Sequence, residues 1–88
     1  MSEDLETRRK RLIFRSCYTG MKETDILLGT FAKRYLPEFT AAQIATYEAL
    51  IETHEDPQIY AWMTGRTPVP EAYDTDVMQL MKAFKLDR

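Results

Sequence analysis

A single glycine, Gly20, separates two segments that both favour helix, so the chain has to turn there. The segment before Gly20 is rich in arginine and lysine, whereas the segment after it places Leu28, Phe31 and Tyr35 at helical spacing. Glycine adopts a positive φ without steric cost, which suits the point where one helix ends and the next begins. The sequence therefore predicts a corner between two helices at Gly20.

Glycines, prolines and capping residues divide the rest of the chain in the same way. We predict helices over residues 4–17, from 21 or 22 to 35, after Thr40 with Gln43 completing a capping box, over 59–63 and over 74–85. Asp56 and Pro57 provide the N-cap and the first residue of the fourth helix. The predicted fold class is all-α, a compact five-helix bundle-like single domain over residues 1–88, with the first few residues and the C-terminal tail frayed.

Charge and apolar patterning argue against nucleic acid and membrane as partners. The net charge is −2, and the basic run 8–11 points around most of its helix rather than forming one stripe, so we predict a solvated or partner-facing helix. No apolar run approaches the roughly 20 residues of a membrane span, so no membrane insertion is predicted. Cys17 is the only cysteine and the N-terminus is acidic, which together favour a reducing cytoplasm. The compartment that we predict is the bacterial cytoplasm.

Residues that carry chemistry are few. His54 is the only histidine, and its position near the end of the third helix favours an interaction with the negative end of the helix dipole over metal binding. No nucleophile is paired with a base, and no glycine loop is built to hold phosphate. We therefore predict no enzyme activity and no metal site, and a protein-binding module as the function class.

The residues around Gly20 form the candidate binding surface. Lys22, Glu23 and Asp25 present one cation and two carboxylates within about two helical turns of Gly20. A second interpretation is local: with Gly20 as N-cap, Glu23 falls at the third helical position, where it completes a capping box. Docking and capping both remain open on spacing alone.

The same residues resemble the SdhE family, small helical assembly factors for succinate dehydrogenase. The family signature is Arg-Gly-x-x-Glu, then an aspartate, then a Leu-Leu-Gly-x-Phe run, and this chain matches it at Gly20, Glu23, Asp25, Leu27, Leu28, Gly29 and Phe31. A second block, Asp-Pro-x-aliphatic-x-x-Trp, is matched by Asp56, Pro57, Ile59 and Trp62. The chain departs from the signature at Thr19, where the family has arginine.

The resemblance implies a five-helix fold and an assembly factor that binds the flavoprotein subunit of succinate dehydrogenase, and of the related fumarate reductase. The factor promotes covalent attachment of FAD to that subunit and binds no cofactor stably itself. The partner-binding residues that we predict are Arg15, Tyr18, Thr19, Gly20, Met21, Lys22, Glu23 and Asp25, with Arg15 or Lys22 supplying the charge that Thr19 lacks. The alternative is an antitoxin-like or regulatory protein-binding module.

Overall fold

Five α-helices and the segments that connect them make up the computed structural model, which describes residues 4–85. They are α1 Leu5–Cys17, α2 Lys22–Tyr35, α3 Ala41–Thr53, α4 Asp56–Met63 and α5 Asp76–Ala83, with 3₁₀ turns at Leu36–Glu38 and Glu71–Tyr73. α1 packs mainly against α2, α3 contacts α1 and α5, and α4 contacts α2 and α5. The predicted all-α class and compact shape are confirmed, while the predicted fraying of both ends concerns residues outside the described range.

Side-chain caps determine where several helices begin. Asp4 caps α1 by accepting a hydrogen bond of 2.7 Å from the backbone N–H of Thr7. The capping box predicted at the start of α3 is present, because the Thr40 hydroxyl accepts from the Gln43 N–H and the Gln43 side chain accepts from the Thr40 N–H. Each cap satisfies backbone donors that have no partner inside the helix, and this gives the helix a defined first residue.

The predicted bounds of α4 and α5 are wrong. Glu55, not Asp56, is the N-cap of α4, so Asp56 and Pro57 are the first two helical residues. The Asp56 carboxylate instead lies 3.2 Å from the guanidinium of Arg15 on α1. The last helix spans Asp76–Ala83 rather than 74–85, because Thr75 caps the Met78 N–H and Phe84 already has an extended backbone.

Phe31 on α2 is the centre of the hydrophobic core. Its side chain has no exposed surface, and its ring centroid lies 4.9 Å from that of Tyr35, 5.6 Å from Phe84, 6.1 Å from Tyr47 and 6.2 Å from Phe39. Phe84, which follows α5, meets Phe31 edge-on at an interplanar angle of 79°. One residue of α2 therefore joins α3, α5 and the turn after α2 in a single aromatic cluster.

Close packing between α1 and α2 explains a glycine inside a helix. A Cβ at Gly29 would lie 3.0 Å from the Cys17 Sγ and 3.2 Å from the Cys17 Cα. Glycine costs an α-helix about 0.5–1 kcal/mol relative to alanine. At Gly29 that cost is offset by the close approach of the two helix backbones.

Charged and polar side chains fasten α1 to its neighbours. Arg8 and Arg11 both donate hydrogen bonds to the carboxylate of Glu48 on α3. These hydrogen bonds lower the pKa of Glu48, and the bond from Arg11 has the larger effect. Arg9 donates to the backbone carbonyls of Leu36 at 3.1 Å and Phe39 at 2.6 Å. Three of the four basic residues at 8–11 thus have partners within the chain, which corrects the expectation that this run is simply solvated or faces a partner.

A buried hydroxyl pair adds a second connection between α1 and α3. The Ser16 hydroxyl donates to the Leu12 carbonyl at 2.7 Å and accepts from the Tyr47 hydroxyl at 2.5 Å. Burial raises the pKa of Tyr47 well above its usual value, so the phenol stays protonated and keeps donating at physiological pH.

Candidate functional site

The corner between α1 and α2 is built on a backbone that requires glycine. Tyr18 ends α1, Met21 is the N-cap of α2, and Gly20 between them has φ +96°. A Cβ at Gly20 would meet no atom within 4 Å, so glycine is needed for its backbone conformation and not for lack of space. The predicted corner at Gly20 is confirmed.

Asp25 holds the corner in shape. One oxygen of its carboxylate accepts the backbone N–H of Thr19 at 2.5 Å and the Thr19 hydroxyl at 2.6 Å. Thr19, at the position where the resemblance predicts arginine, therefore has a clear local role in this chain. Both residues were predicted to bind a partner, and the contacts that the structure shows for them lie inside the corner. Their partner-binding role remains a prediction.

The hydrogen bonds to Asp25 make the order of the corner depend on pH. Hydrogen bonds from the Thr19 hydroxyl and the Thr19 N–H lower the pKa of Asp25 below its ordinary value of 3.8, and the bond from the hydroxyl has the larger effect. A lowered pKa in the folded state means that the stabilisation is complete above 3.8 and is lost as pH falls through the lowered pKa.

We expect the Asp25 carboxyl carbon to titrate by NMR with a midpoint below 3.8. Thr19→Ala should raise that midpoint, Thr30→Ala should leave it unchanged, and a wild-type midpoint at or above 3.8 would contradict the assignment.

Glu23 stands exposed at the start of α2 and is not a cap. Because Met21 is the N-cap, Glu23 is the second helical residue, and α2 has no side-chain cap. The capping box proposed for Gly20 and Glu23 is therefore wrong. Within residues 4–85 the Glu23 carboxylate has no hydrogen bond and no ion pair, and such a group is available to bind a partner.

A cleft forms where the corner meets α4. Met21 and Glu23 line one side of it, and α4 and the turn after it line the other with Pro57, Tyr60, Ala61 and Arg66. The cavity measures about 270 Å³. The cleft brings together residues more than 30 positions apart, and only those from its α2 side, Met21 and Glu23, were predicted from the sequence to bind a partner.

Arg15 connects the corner to α4. One of its guanidinium nitrogens lies 3.2 Å from the Asp56 carboxylate, and its other terminal nitrogen, Nη1, is buried without a partner in the described part of the chain. The charge of Arg15 is thus directed toward α4. Lys22, the other residue expected to compensate for Thr19, is exposed on the first turn of α2.

Tyr18 contributes to a second surface, together with an aromatic residue that the sequence analysis did not name. The side chains of Phe14 and Tyr18 are each 67% exposed, and their ring centroids lie 4.7 Å apart. They border a pocket of about 360 Å³ with Lys10, Ile13, Cys17 and Lys33. A pair of aromatic residues four positions apart, off the buried stripe of α1, is the sequence signal that indicates this surface.

His54 lies at the C-terminal end of α3, as predicted. Its Nδ1 lies 3.1 Å from the Leu50 carbonyl, and its ring packs edge-on against Trp62 and Tyr73. Over residues 4–85, no group of three or more histidine, cysteine, aspartate or glutamate side chains is arranged to hold a metal ion. The helices described here are too short or too polar to cross a membrane.

Comparison with known proteins assigns the chain to a family. The family described as the flavinator of succinate dehydrogenase matches residues 10–85, which include the corner, the cleft and the Phe14–Tyr18 surface. The chain belongs to this flavinator family. The resemblance to the SdhE family is thereby confirmed.

Several relatives of this flavinator-family chain are insect proteins. Succinate dehydrogenase assembly factor 2-A, mitochondrial, of Drosophila persimilis is 48% identical over 82 residues, which are 92% of this chain and 51% of the relative. The factor of the same name from Drosophila mojavensis is 48% identical over 81 residues, 91% of this chain and 52% of that protein. The chain thus spans about half the length of the curated relatives it matches.

Proposed function

We propose that this chain is an assembly factor that binds the flavoprotein subunit of succinate dehydrogenase and promotes the covalent attachment of FAD to that subunit. Membership of the flavinator family over residues 10–85 is the observation that carries the proposal. The names of its relatives as succinate dehydrogenase assembly factors agree with it. The proposal includes the related fumarate reductase subunit as a second partner and the bacterial cytoplasm as the compartment.

The chain acts in this proposal by positioning, without supplying a reacting group. The bond joins a histidine of the flavoprotein subunit to FAD, so the partner holds both reacting groups and the factor binds no cofactor stably. Reactions between held groups accelerate when their geometry is constrained. A factor that holds the subunit in the reactive conformation through an exposed surface is sufficient for this role.

The docking surface in this proposal is the corner with its cleft. The carboxylate of Glu23 has no partner in the described part of the chain. Gly20, three positions earlier, has no side chain, so its backbone is open to a partner. The shape of this surface is stabilised by the hydrogen bonds between Thr19 and Asp25 within the corner and by the bond from Arg15 to α4. Tyr18, with Phe14, offers a second exposed contact next to the corner.

Reconstitution in cells tests the function directly. The flavoprotein subunit is produced in cells that lack their own assembly factor, with and without this chain, and covalent flavin is read by fluorescence in a denaturing gel. We expect the flavin signal of the subunit to rise several-fold when the chain is present, and the subunit to copurify with it. If the flavin signal is unchanged and the subunit does not copurify, the result favours the antitoxin-like or regulatory function.

A further inference from the structure

Arg66 is fixed by the backbone at the edge of the cleft. α4 ends in a Schellman motif: Gly65 has φ +79°, its N–H bonds to the Trp62 carbonyl, and the Arg66 N–H bonds to the Ala61 carbonyl at 2.9 Å. In this motif the residue after the glycine characteristically packs against the last turn of the helix. Arg66 follows that rule, because its guanidinium carbon lies 5.6 Å from the ring centre of Tyr60.

The guanidinium of Arg66 is free to bind a ligand. Among residues 4–85 the side chain of Arg66 forms no hydrogen bond and no ion pair, although Glu23 lines the same cleft. The Tyr60 ring contacts the guanidinium without using its N–H donors. Guanidinium has five N–H donors in a planar fork that matches a carboxylate, so an unpaired arginine that lines a cleft favours a carboxylate ligand.

We propose that Arg66 binds a carboxylate side chain of the flavoprotein subunit in this cleft, and so supplies the cation that Thr19 does not. The inference rests on the proposed function and adds to it a partner contact from another part of the chain. Thr19 has only a hydroxyl, which is bonded to Asp25, and the guanidinium of Arg15 is paired with Asp56. Arg66 lies 46 positions after Gly20 in the sequence, yet it shares the cleft with Glu23.

The cleft then presents charges of both signs to the partner. Glu23 on the α2 side selects a basic group, and Arg66 on the α4 side selects an acidic one. Opposite charges on the two sides of one small cavity define a single orientation for a partner segment that carries the complementary pair. Reversing either charge places like charges together.

Binding of the purified full chain to the purified flavoprotein subunit tests this inference. We expect Arg66→Ala to weaken the affinity about tenfold, as for loss of one charge-assisted contact, and Arg66→Glu to weaken it further by repulsion. Arg66→Lys should fall between wild type and Arg66→Ala, since lysine keeps the charge but loses the fork. Lys82→Ala, an exposed cation on α5, serves as the control and should bind as wild type does.

The outcomes separate this inference from the proposed function. If wild type binds and Arg66→Ala binds equally well, the role of Arg66 is overturned while the assembly function stands. Equal affinities of Arg66→Ala and Arg66→Glu would trace the loss to the missing contact with Tyr60 and would also overturn it. Failure of the wild type to bind the subunit overturns both. Circular dichroism of each variant verifies that the helical content is unchanged.

Discussion

Glu23→Lys is expected to abolish support for FAD attachment while leaving the helical fold intact. Glu23 is exposed and has no partner among residues 4–85, and it lines one side of the cleft while Arg66 lines the other. A lysine there would set two cations in one cavity and repel the basic group that we expect the partner to present. Like charges placed together across an interface cost several kcal/mol, so we expect the affinity to fall by about 100-fold or more.

A matched charge reversal distinguishes a local effect from a change in net charge. Glu38→Lys alters the charge of the chain by the same amount, and Glu38 is also exposed without a partner in the described part of the chain. We expect flavin fluorescence of the subunit to be lost with Glu23→Lys and retained with Glu38→Lys. Equal loss with both variants would contradict a specific role for Glu23. Gly20→Arg is a weaker test, since φ +96° at Gly20 adds backbone strain to any substitution.

Phe31→Ala is expected to have the largest effect on stability. The side chain of Phe31 is fully buried, and four other aromatic rings lie within 6.2 Å of its ring centre. Replacing a buried phenylalanine by alanine costs about 3–5 kcal/mol, because the cavity it leaves cannot be refilled completely. A chain of this length has a total stability of about 4–13 kcal/mol, so the variant should be partly unfolded or close to it.

Thermal and urea unfolding followed by circular dichroism measure this effect. We expect the midpoint of thermal unfolding to fall by about 12 °C or more, or the cooperative transition to vanish. Phe14→Ala removes the same side chain from a position that is 67% exposed, and should change the midpoint little. Similar losses from both substitutions would mean that Phe31 is not the centre of the core.

Local sequence signals predicted most of the helices correctly. Three predicted features depend only on residues close together in the sequence, and each is present in the structure. They are the capping box of Thr40 and Gln43, the turn at Gly20, and the apolar spacing of α2 and α3. The start of α4 was predicted wrongly for a physical reason. An aspartate before a proline has the local features of an N-cap, but Asp56 is paired with Arg15, 41 positions away.

The sequence also identified the α2 half of the candidate site but not the α4 half. Gly20 and Glu23 match the family signature, so both were chosen as candidate binding residues from the sequence alone. Tyr60 and Arg66 have no local pattern that marks them as neighbours of Glu23, and Phe14 was not singled out beside Tyr18. Contacts between elements distant in sequence depend on how the helices pack, which local periodicity does not specify.

The sequence by itself determined the helical class, the capping box at Thr40, the corner at Gly20 and the family, because these depend on residue type and short spacing. The tertiary structure alone decided which charges remain available to a partner. It paired Arg8 and Arg11 with Glu48, Arg15 with Asp56 and Thr19 with Asp25, and left Glu23 and Arg66 together in one cleft. An ionic group pairs with whatever the fold places within a few ångströms, so its availability is a property of the packed structure.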